Sequence, residues 1–365
     1  MREESPESRR KLRSGFTTGA CATATSLAAA NLLLNDLGSE AVSIQLPKGQ
    51  LVEFKLERCE RLNSNRAISS TIKDAGDDPD VTHLATIFAE VELRPEAGVR
   101  FHAAEGVGTV TRTGLSIAIG EAAINPVPRQ MMREHLSRLA DECGYSGGFE
   151  VHVGIVDGEN IALKTMNARL GIIGGLSILG TTGIVRPFSC SAYIASITQG
   201  MDVAHANGVD HIAASTGSTS EAYIQKKLGL ADMALVEMGD FVGAVLKHLK
   251  KAPIAKLTIC GGFGKISKLA AGNSSLHSHD SSIDFEFLAG LGADLGASSE
   301  LVNRIKQSNT SIEALKLCET DKISLANQIC RLARESALSK AQANVEIDVY
   351  CVDNTGRCVG HSDPA

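Results

Sequence analysis

The stretch KLTICGGFGKISKLAAG, residues 256–272, takes an apolar, β-rich run through a glycine-dense corner into a lysine-containing segment of helical character. An α/β protein usually holds a ligand at such a corner. Gly261, Gly262 and Gly264 let backbone N–H groups come close to a ligand. Lys265 and Lys268 put cationic heads near the start of the following helix, whose dipole favours anions. The corner therefore reads as an anion site, and the polar cluster Ser278, His279 and Asp280 follows it closely. It matches neither the dinucleotide fingerprint G-x-G-x-x-G nor the P-loop G-x-x-x-x-G-K-[ST]. Taken alone, a tight packing turn explains it better.

Composition bounds the class. The chain has 365 residues, 43% hydrophobic and 21% charged, enough for two domains and a large core. Its net charge of -6 excludes a global basic field for nucleic acid or an anionic membrane, so an anionic ligand has to meet local Arg and Lys. The start, MREESPESRRKLR, has no apolar run behind it, which argues against a secretory signal and for a cytoplasmic protein. The longest uncharged run, LGIIGGLSILGTTGIV (170–185), is too short and too glycine-rich to span a membrane as a helix. Nine cysteines without a C-x-x-C pair suggest reduced thiols, and no metal site is expected.

Along the chain, ACATATSLAAANLLLNDL (20–37) predicts a helix with its N-cap among Thr17, Thr18 and Gly19 and a stop at Gly38. The alternating runs AVSIQLP, LVEFKLE and ATIFAEVELR predict half-buried strands, as does FEVHVGIV (149–156). From about residue 190 helices and strands alternate, which predicts βαβ crossovers and a parallel sheet. The fold class is α/β and α+β in two domains: an N-terminal α+β domain and a C-terminal Rossmann-like domain with a mainly parallel sheet. The expected boundaries are a flexible tail over 1–11, the α+β domain over 12–188, the Rossmann-like domain over 189–342, and a C-terminal strand and tail over 343–365. The strand VEIDVYCVD (345–353) could return to either domain.

In the parallel region, the strand DHIAA leads into the small polar loop Ser215, Thr216, Gly217, Ser218 and Thr219, then a helix, then a strand ending in Glu237. An adenosyl ligand uses this order: the loop lets backbone approach, and the acidic strand tip accepts from two ribose hydroxyls. Ser215, Thr216, Gly217 and Glu237 are thus candidate cofactor contacts, together with Gly261, Gly262 and Gly264. Glu237 as a plain solvated carboxylate is about equally good on pattern alone. The absence of a phosphate motif leans toward a ligand without pyrophosphate, and S-adenosylmethionine fits.

Five segments in order carry a resemblance: LRSGFTTGACATATS, DAGDDPDVT, GVGTVTRTGL with GEAAINPVPR, ALKTMNARLGIIGGLSILGTTGIVRPFS, and CGGFGKISKLAAG followed by HS. They resemble the CbiD-type cobalt-precorrin-5B C1-methyltransferases of anaerobic cobalamin synthesis, from about residue 12 to 290. The resemblance implies methyl transfer from S-adenosylmethionine to ring carbon 1 of a cobalt-containing tetrapyrrole, giving cobalt-precorrin-6A. It implies a dry, preorganised pocket and no covalent enzyme nucleophile.

The implied substrate is a large macrocycle with apolar faces and a rim of carboxylates, so its site needs glycine-rich walls and scattered cations. Arg13, Arg112, Lys164, Arg169, Arg186 and Lys265 are the candidate cations. Thr17, Thr18, Thr181 and Thr182 belong to two Thr-Thr-Gly elements that could offer donors at helix starts, and Asn167 is a further polar contact. For each cation an ordinary ion pair competes with this role. In the acidic element Asp74, Asp77, Asp78 and Asp80, one reading makes Asp78 a base and the other makes Asp77, Asp78 and Pro79 a turn, with the turn slightly ahead. His277 is the candidate acid–base group of its segment. The rival reading is a non-catalytic tetrapyrrole or corrinoid carrier. The expected partner is the cobalt-precorrin-5B macrocycle, with only transient contact to other cobalamin-pathway enzymes and none with nucleic acid or membrane; a homo-oligomer is compatible.

Overall fold

The computed structural model describes residues 12–341 and 343–363. The tail expected over 1–11 lies outside the described residues. The chain divides into two compact units between Ser189 and Cys190.

In the first unit the helix α1 (Thr18–Asn35) is nearly all buried. Thr17 caps it, its Oγ1 accepting from the Ala20 N–H at 3.2 Å. It ends at Asp36, in the left-handed region at φ 56°, two residues before the stop expected at Gly38. Around α1 run the strands β1 (Arg58–Arg61), β2 (Arg66–Ile72), β3 (Thr86–Arg94), β4 (Gly98–Ala103) and β5 (Gly148–Ile155), with α2 (Pro126–Cys143) between β4 and β5. The sheet order is β1-β2-β3-β5-β4, antiparallel except for the parallel β4–β5 pair.

Period-2 alternation buries Ile87, Ala89 and Val91 of β3 against the helices and leaves Glu90 and Glu92 on the other face. Pro126 opens α2 and Gly144, at φ 63°, closes it by donating to the carbonyls of Ala140 and Asp141. Met132 and Leu136, both fully buried, pin α2 to this core. Each contributes about 1.5–3 kcal/mol by leaving water, and Leu136→Ala would cost roughly 2–5 kcal/mol. The hairpin Ala41–Gln45/Leu51–Lys55 forms a separate two-stranded sheet.

The second unit comprises α3 (Cys190–Ala206), β6 (His211–Ser215), α4 (Ser218–Leu228), β7 (Leu235–Glu237), α5 (Val242–His248), β8 (Lys256–Gly262), α6 (Phe263–Ala270), α7 (Phe285–Asp294), α8 (Ser299–Lys306), α9 (Ser311–Thr320), α10 (Leu325–Ala341), β9 (Glu346–Val352) and β10 (Cys358–His361). Its sheet runs β7-β6-β8-β9-β10, the first four strands parallel and β10 antiparallel. The strand VEIDVYCVD therefore returns to this unit, paired with β8.

In chain order the sheet reads 2-1-3-4-5, so the winding reverses between β6 and β8. Parallel sheets of this order take ligands in the crevice outside the carboxyl ends at that reversal. One face packs Ile212, Ala214, Leu257, Ile259, Ile347 and Val349 against a large core with α3, α5, α6 and α10. The other packs Ala213, Leu235, Cys260 and Val352 against Ile224 of α4. Burial on both faces explains why these strands read as short continuous apolar runs.

Candidate functional site

The carboxyl ends of three parallel strands meet in register: Ser215 of β6 lies opposite Glu237 of β7 on one side and Cys260 of β8 on the other. Backbone bonds tie the loops that leave them. Thr216 donates to the Cys260 carbonyl at 3.0 Å, and Met238 donates to the Ser215 carbonyl at 2.9 Å. The Lys265 ammonium donates to the Thr216 carbonyl at 3.2 Å and pairs with Asp240 Oδ1 at 3.1 Å. Leu276 donates to the Asp240 carbonyl, and the buried Lys268 ammonium donates to the Leu276 carbonyl, both at 2.9 Å. Four loops, at 215–217, 237–240, 261–265 and 274–280, are thus knit at one edge of the sheet. The two lysines read as anion-binding cations stitch the loops together, because each finds a carbonyl or carboxylate within the unit.

Ser215 is fully buried, and its hydroxyl has no hydrogen-bond partner among the described residues. An orphaned buried hydroxyl is rare and needs a reason. The glycines separate into two kinds. A Cβ on Gly261 would lie 2.7 Å from the Thr216 side chain, and one on Gly264 would lie 2.7 Å from Ser311 Oγ, so packing alone accounts for both. A Cβ on Gly217 or Gly262 would meet nothing within 4 Å. Those two glycines begin α4 and α6, and Gly217 caps α4 with no side-chain hydrogen bond. The first-turn amides of α4, like those of any helix, have no intrahelical acceptor. Glu237 is exposed at its strand tip, where its carboxylate makes no ion pair among the described residues. Orphan hydroxyl, open amides and a free carboxylate suit a neutral, hydroxyl-rich ligand such as an adenosyl group.

His277 is exposed beside this edge. Its Nδ1 accepts from the His279 N–H at 3.2 Å, and the two rings stack 5.6 Å apart. That bond leaves the proton of a neutral His277 on Nε2. Asp280 is taken by the Ser275 hydroxyl at 2.6 Å. Among the described residues no group of three or more His, Cys, Asp or Glu is arranged to hold a metal ion. Burial pushes the thiols of Cys21 and Cys318 up, to about 12 and about 11, so neither is an activated nucleophile.

In the first unit the two Thr-Thr-Gly elements lie side by side. Thr17 donates from its backbone to the Gly183 carbonyl at 3.0 Å, Gly15–Phe16 pairs antiparallel with Ile184–Val185, and Thr18 Oγ1 accepts from the Leu179 N–H at 2.8 Å. Only the first element starts a helix. Thr181 and Thr182 lie in a bend, where Thr182 Oγ1 accepts from the Ile184 N–H at 3.3 Å, contrary to the expectation of a second helix start. Arg13 makes a two-pronged pair with Asp74, and the guanidinium holds that carboxyl below the usual carboxylate range.

The rest of the acidic element is engaged too. Asp77 Oδ2 accepts from the Arg13 N–H at 2.7 Å, and Asp78 Oδ1 from the Phe188 N–H at 2.9 Å. Asp80 holds the buried Lys73 ammonium at 2.7 Å. Asn167, Lys164 and Arg169 belong to another loop, which the Asn167 amide closes by donating to the Gly175 carbonyl at 3.1 Å. Lys164 and Arg186 are exposed, and neither side chain makes an ion pair among the described residues. The candidates thus fall into one group in the second unit and two in the first. Tyr193, in the first turn of α3, was not among the residues singled out from the sequence.

The class of protein so defined is a two-unit α/β protein whose second unit carries a mainly parallel sheet with a winding reversal. The CbiD family profile matches residues 5–187, and that of the CbiD C-terminal domain matches 275–363. A cobalt-precorrin-5B C(1)-methyltransferase of Pseudomonas paraeruginosa is 60% identical over 362 residues, covering 99% of each chain. Its counterpart in Burkholderia multivorans is 60% identical over 360 residues, again covering 99% of each. A crystal structure of the cobalamin biosynthesis protein CbiD from Archaeoglobus fulgidus is 29% identical, covers 71% of this chain and 80% of that one, and superposes with a TM-score of 0.40. The chain belongs to the CbiD family.

Proposed function

We infer that this chain methylates ring carbon 1 of cobalt-precorrin-5B with S-adenosylmethionine, giving cobalt-precorrin-6A in anaerobic cobalamin biosynthesis. The observation that carries this reading is about 60% identity, end to end, to curated relatives of that name. A carrier would need no donor crevice. The open amides, orphan hydroxyl and free carboxylate at the edge of the parallel sheet favour the enzyme.

The 2-1-3-4-5 order supports a Rossmann-like second domain over 189–342, following an α+β domain over 12–188, with the segment 343–365 adding its strands to the second domain's sheet. S-adenosylmethionine, when bound, supplies an electrophilic methyl group on a sulfonium. Glu237 accepts from the ribose hydroxyls, Ser215 Oγ gains the partner it lacks, and the chain at Gly217 and Gly262 admits the ligand against the amides that start α4 and α6. Thr216, Gly261, Gly264 and Lys265 hold the loops at fixed spacing, so little reorganisation accompanies the reaction.

His277 keeps a proton on Nε2 and can donate it at the edge of the crevice. Asp78 acts through the Phe188 backbone it anchors. Arg186 and Lys164, exposed and without ion pairs, suit the carboxylate rim of the macrocycle, and Arg13, Arg169, Asn167, Thr17, Thr18, Thr181 and Thr182 support the segments that carry it. Among the described residues no helix is long and apolar enough to cross a membrane.

The test is anaerobic incubation with cobalt-precorrin-5B and methyl-labelled S-adenosylmethionine, followed by mass analysis. The expected result is one labelled methyl per macrocycle and an equal amount of S-adenosylhomocysteine. Macrocycle binding without methyl gain, by protein that binds the donor, would favour the carrier.

A further inference from the structure

Tyr193 stands in the first turn of α3, 37% exposed, where its ring meets the loop that follows β7. The turn at Gly239 is left-handed, at φ 54°, and tucks under that ring: a Cβ on Gly239 would lie 3.0 Å from the phenolic oxygen and 3.3 Å from the ring. The ring also tilts against Phe241, with centroids 5.4 Å apart. The two rings flank Met238–Asp240, the loop that follows Glu237.

The hydroxyl has no hydrogen-bond partner among the described residues. Burial, with the negative charges of Glu237, Asp240 and Glu221 in that order, pushes the phenol up to about 12. It is therefore a protonated donor at neutral pH. Glu221 opens α4 and Glu237 ends β7, so the phenol sits within the field of both elements that border the proposed ribose position.

We propose that Tyr193 is a donor-binding residue of the methyl-transfer site, its ring walling the crevice and its hydroxyl donating a hydrogen bond to the adenosyl group of the bound ligand. A partly exposed aromatic with an idle hydroxyl suits this task, since the ring buries against a purine or ribose while the tip stays polar. The proposal rests on the reading of the 215–217 and 237 loops as the S-adenosylmethionine site, so its test carries a control for that reading.

The experiment is calorimetric titration of full-length Tyr193→Phe, Tyr193→Ala and Glu237→Ala with S-adenosylhomocysteine, which has the adenosyl group and no transferable methyl. Tyr193→Phe is expected to raise Kd about threefold to tenfold, the range for one neutral hydrogen bond, and Tyr193→Ala to raise it further. In turnover the KM for S-adenosylmethionine should rise while kcat is nearly kept, with the thermal midpoint of Tyr193→Phe unchanged; a purely structural role would move that midpoint instead. Wild-type affinity in Tyr193→Phe alongside weakened binding in Glu237→Ala overturns the role of Tyr193 and leaves the site reading intact. Wild-type affinity in all three variants overturns both.

Discussion

Glycines in the first unit and glycines at the sheet edge of the second unit are indistinguishable as sequence letters, yet they differ in what surrounds them. In the first unit a Cβ on Gly106 would overlap the Ile155 carbonyl oxygen, one on Gly175 the Gly106 carbonyl, and one on Gly180 the Thr17 side chain. Chain crosses chain at these points, so packing accounts for Gly175 and Gly180 of the glycine-rich run 170–185. In the second unit a Cβ on Gly217 or Gly262 would meet no neighbour within 4 Å. Close approach within the chain thus explains the first set; for the second, the proposed donor would be the approaching body.

Two charged groups show a similar difference. Lys73, 1% exposed, and Asp80 complete one another inside the first unit. Glu237 in the second has no ion-pair partner among the described residues.

The largest effect that would test this contrast is Lys73→Met, which strands a half-buried carboxylate and should cost about 3–5 kcal/mol in urea unfolding at neutral pH. Burial raises the Asp80 carboxyl, but the charge of Lys73 and hydrogen bonds from Lys73 and Thr82 outweigh it and leave the group below its ordinary value. A lowered native pKa means the pair stabilises fully above the unfolded carboxylate value of about 4, and that this stability is lost as pH falls through the lower native value. The acid-side slope of stability should therefore be shallower in Lys73→Met. An unchanged slope would remove the pair from the acid response.

Next in size is Gly106→Ala, which combines backbone overlap with a left-handed φ of 73° and should lose about 2–3 kcal/mol, read as a lower thermal midpoint. Donor binding in whatever protein stays folded should be unchanged. Glu237→Ala reverses the pattern: thermal midpoint held, S-adenosylhomocysteine affinity down about tenfold, or about 1.4 kcal/mol. Affinity equal to wild type would take Glu237 out of the site. The smallest effect on stability is expected of Gly217→Ala, within about 0.5 kcal/mol because the added methyl meets no atom and the backbone is extended. Its donor affinity should fall severalfold as the methyl enters the ligand's space. A stability loss as large as that of Gly106→Ala would erase the distinction between the two regions.

The sequence by itself determined the elements and the family. Ala/Leu density with Thr17 ahead of it specifies α1, period-2 alternation specifies β3, and short apolar runs between helices specify the parallel sheet, because these signals act within a few residues of one another. The family segments needed only their order along the chain. The tertiary structure decided which polar groups remain available. Lys265 and Lys268 read as ligand cations until folding put the Thr216 and Leu276 carbonyls within reach, and Thr181 read as a helix start although it lies in a bend beside the Thr17 segment. Tyr193 carried no signal because its partners, Gly239 and Phe241, are more than forty residues away in sequence. Local propensity fixes what a segment becomes, whereas the space and partners around a side chain are set by contacts between distant segments, which no local pattern records.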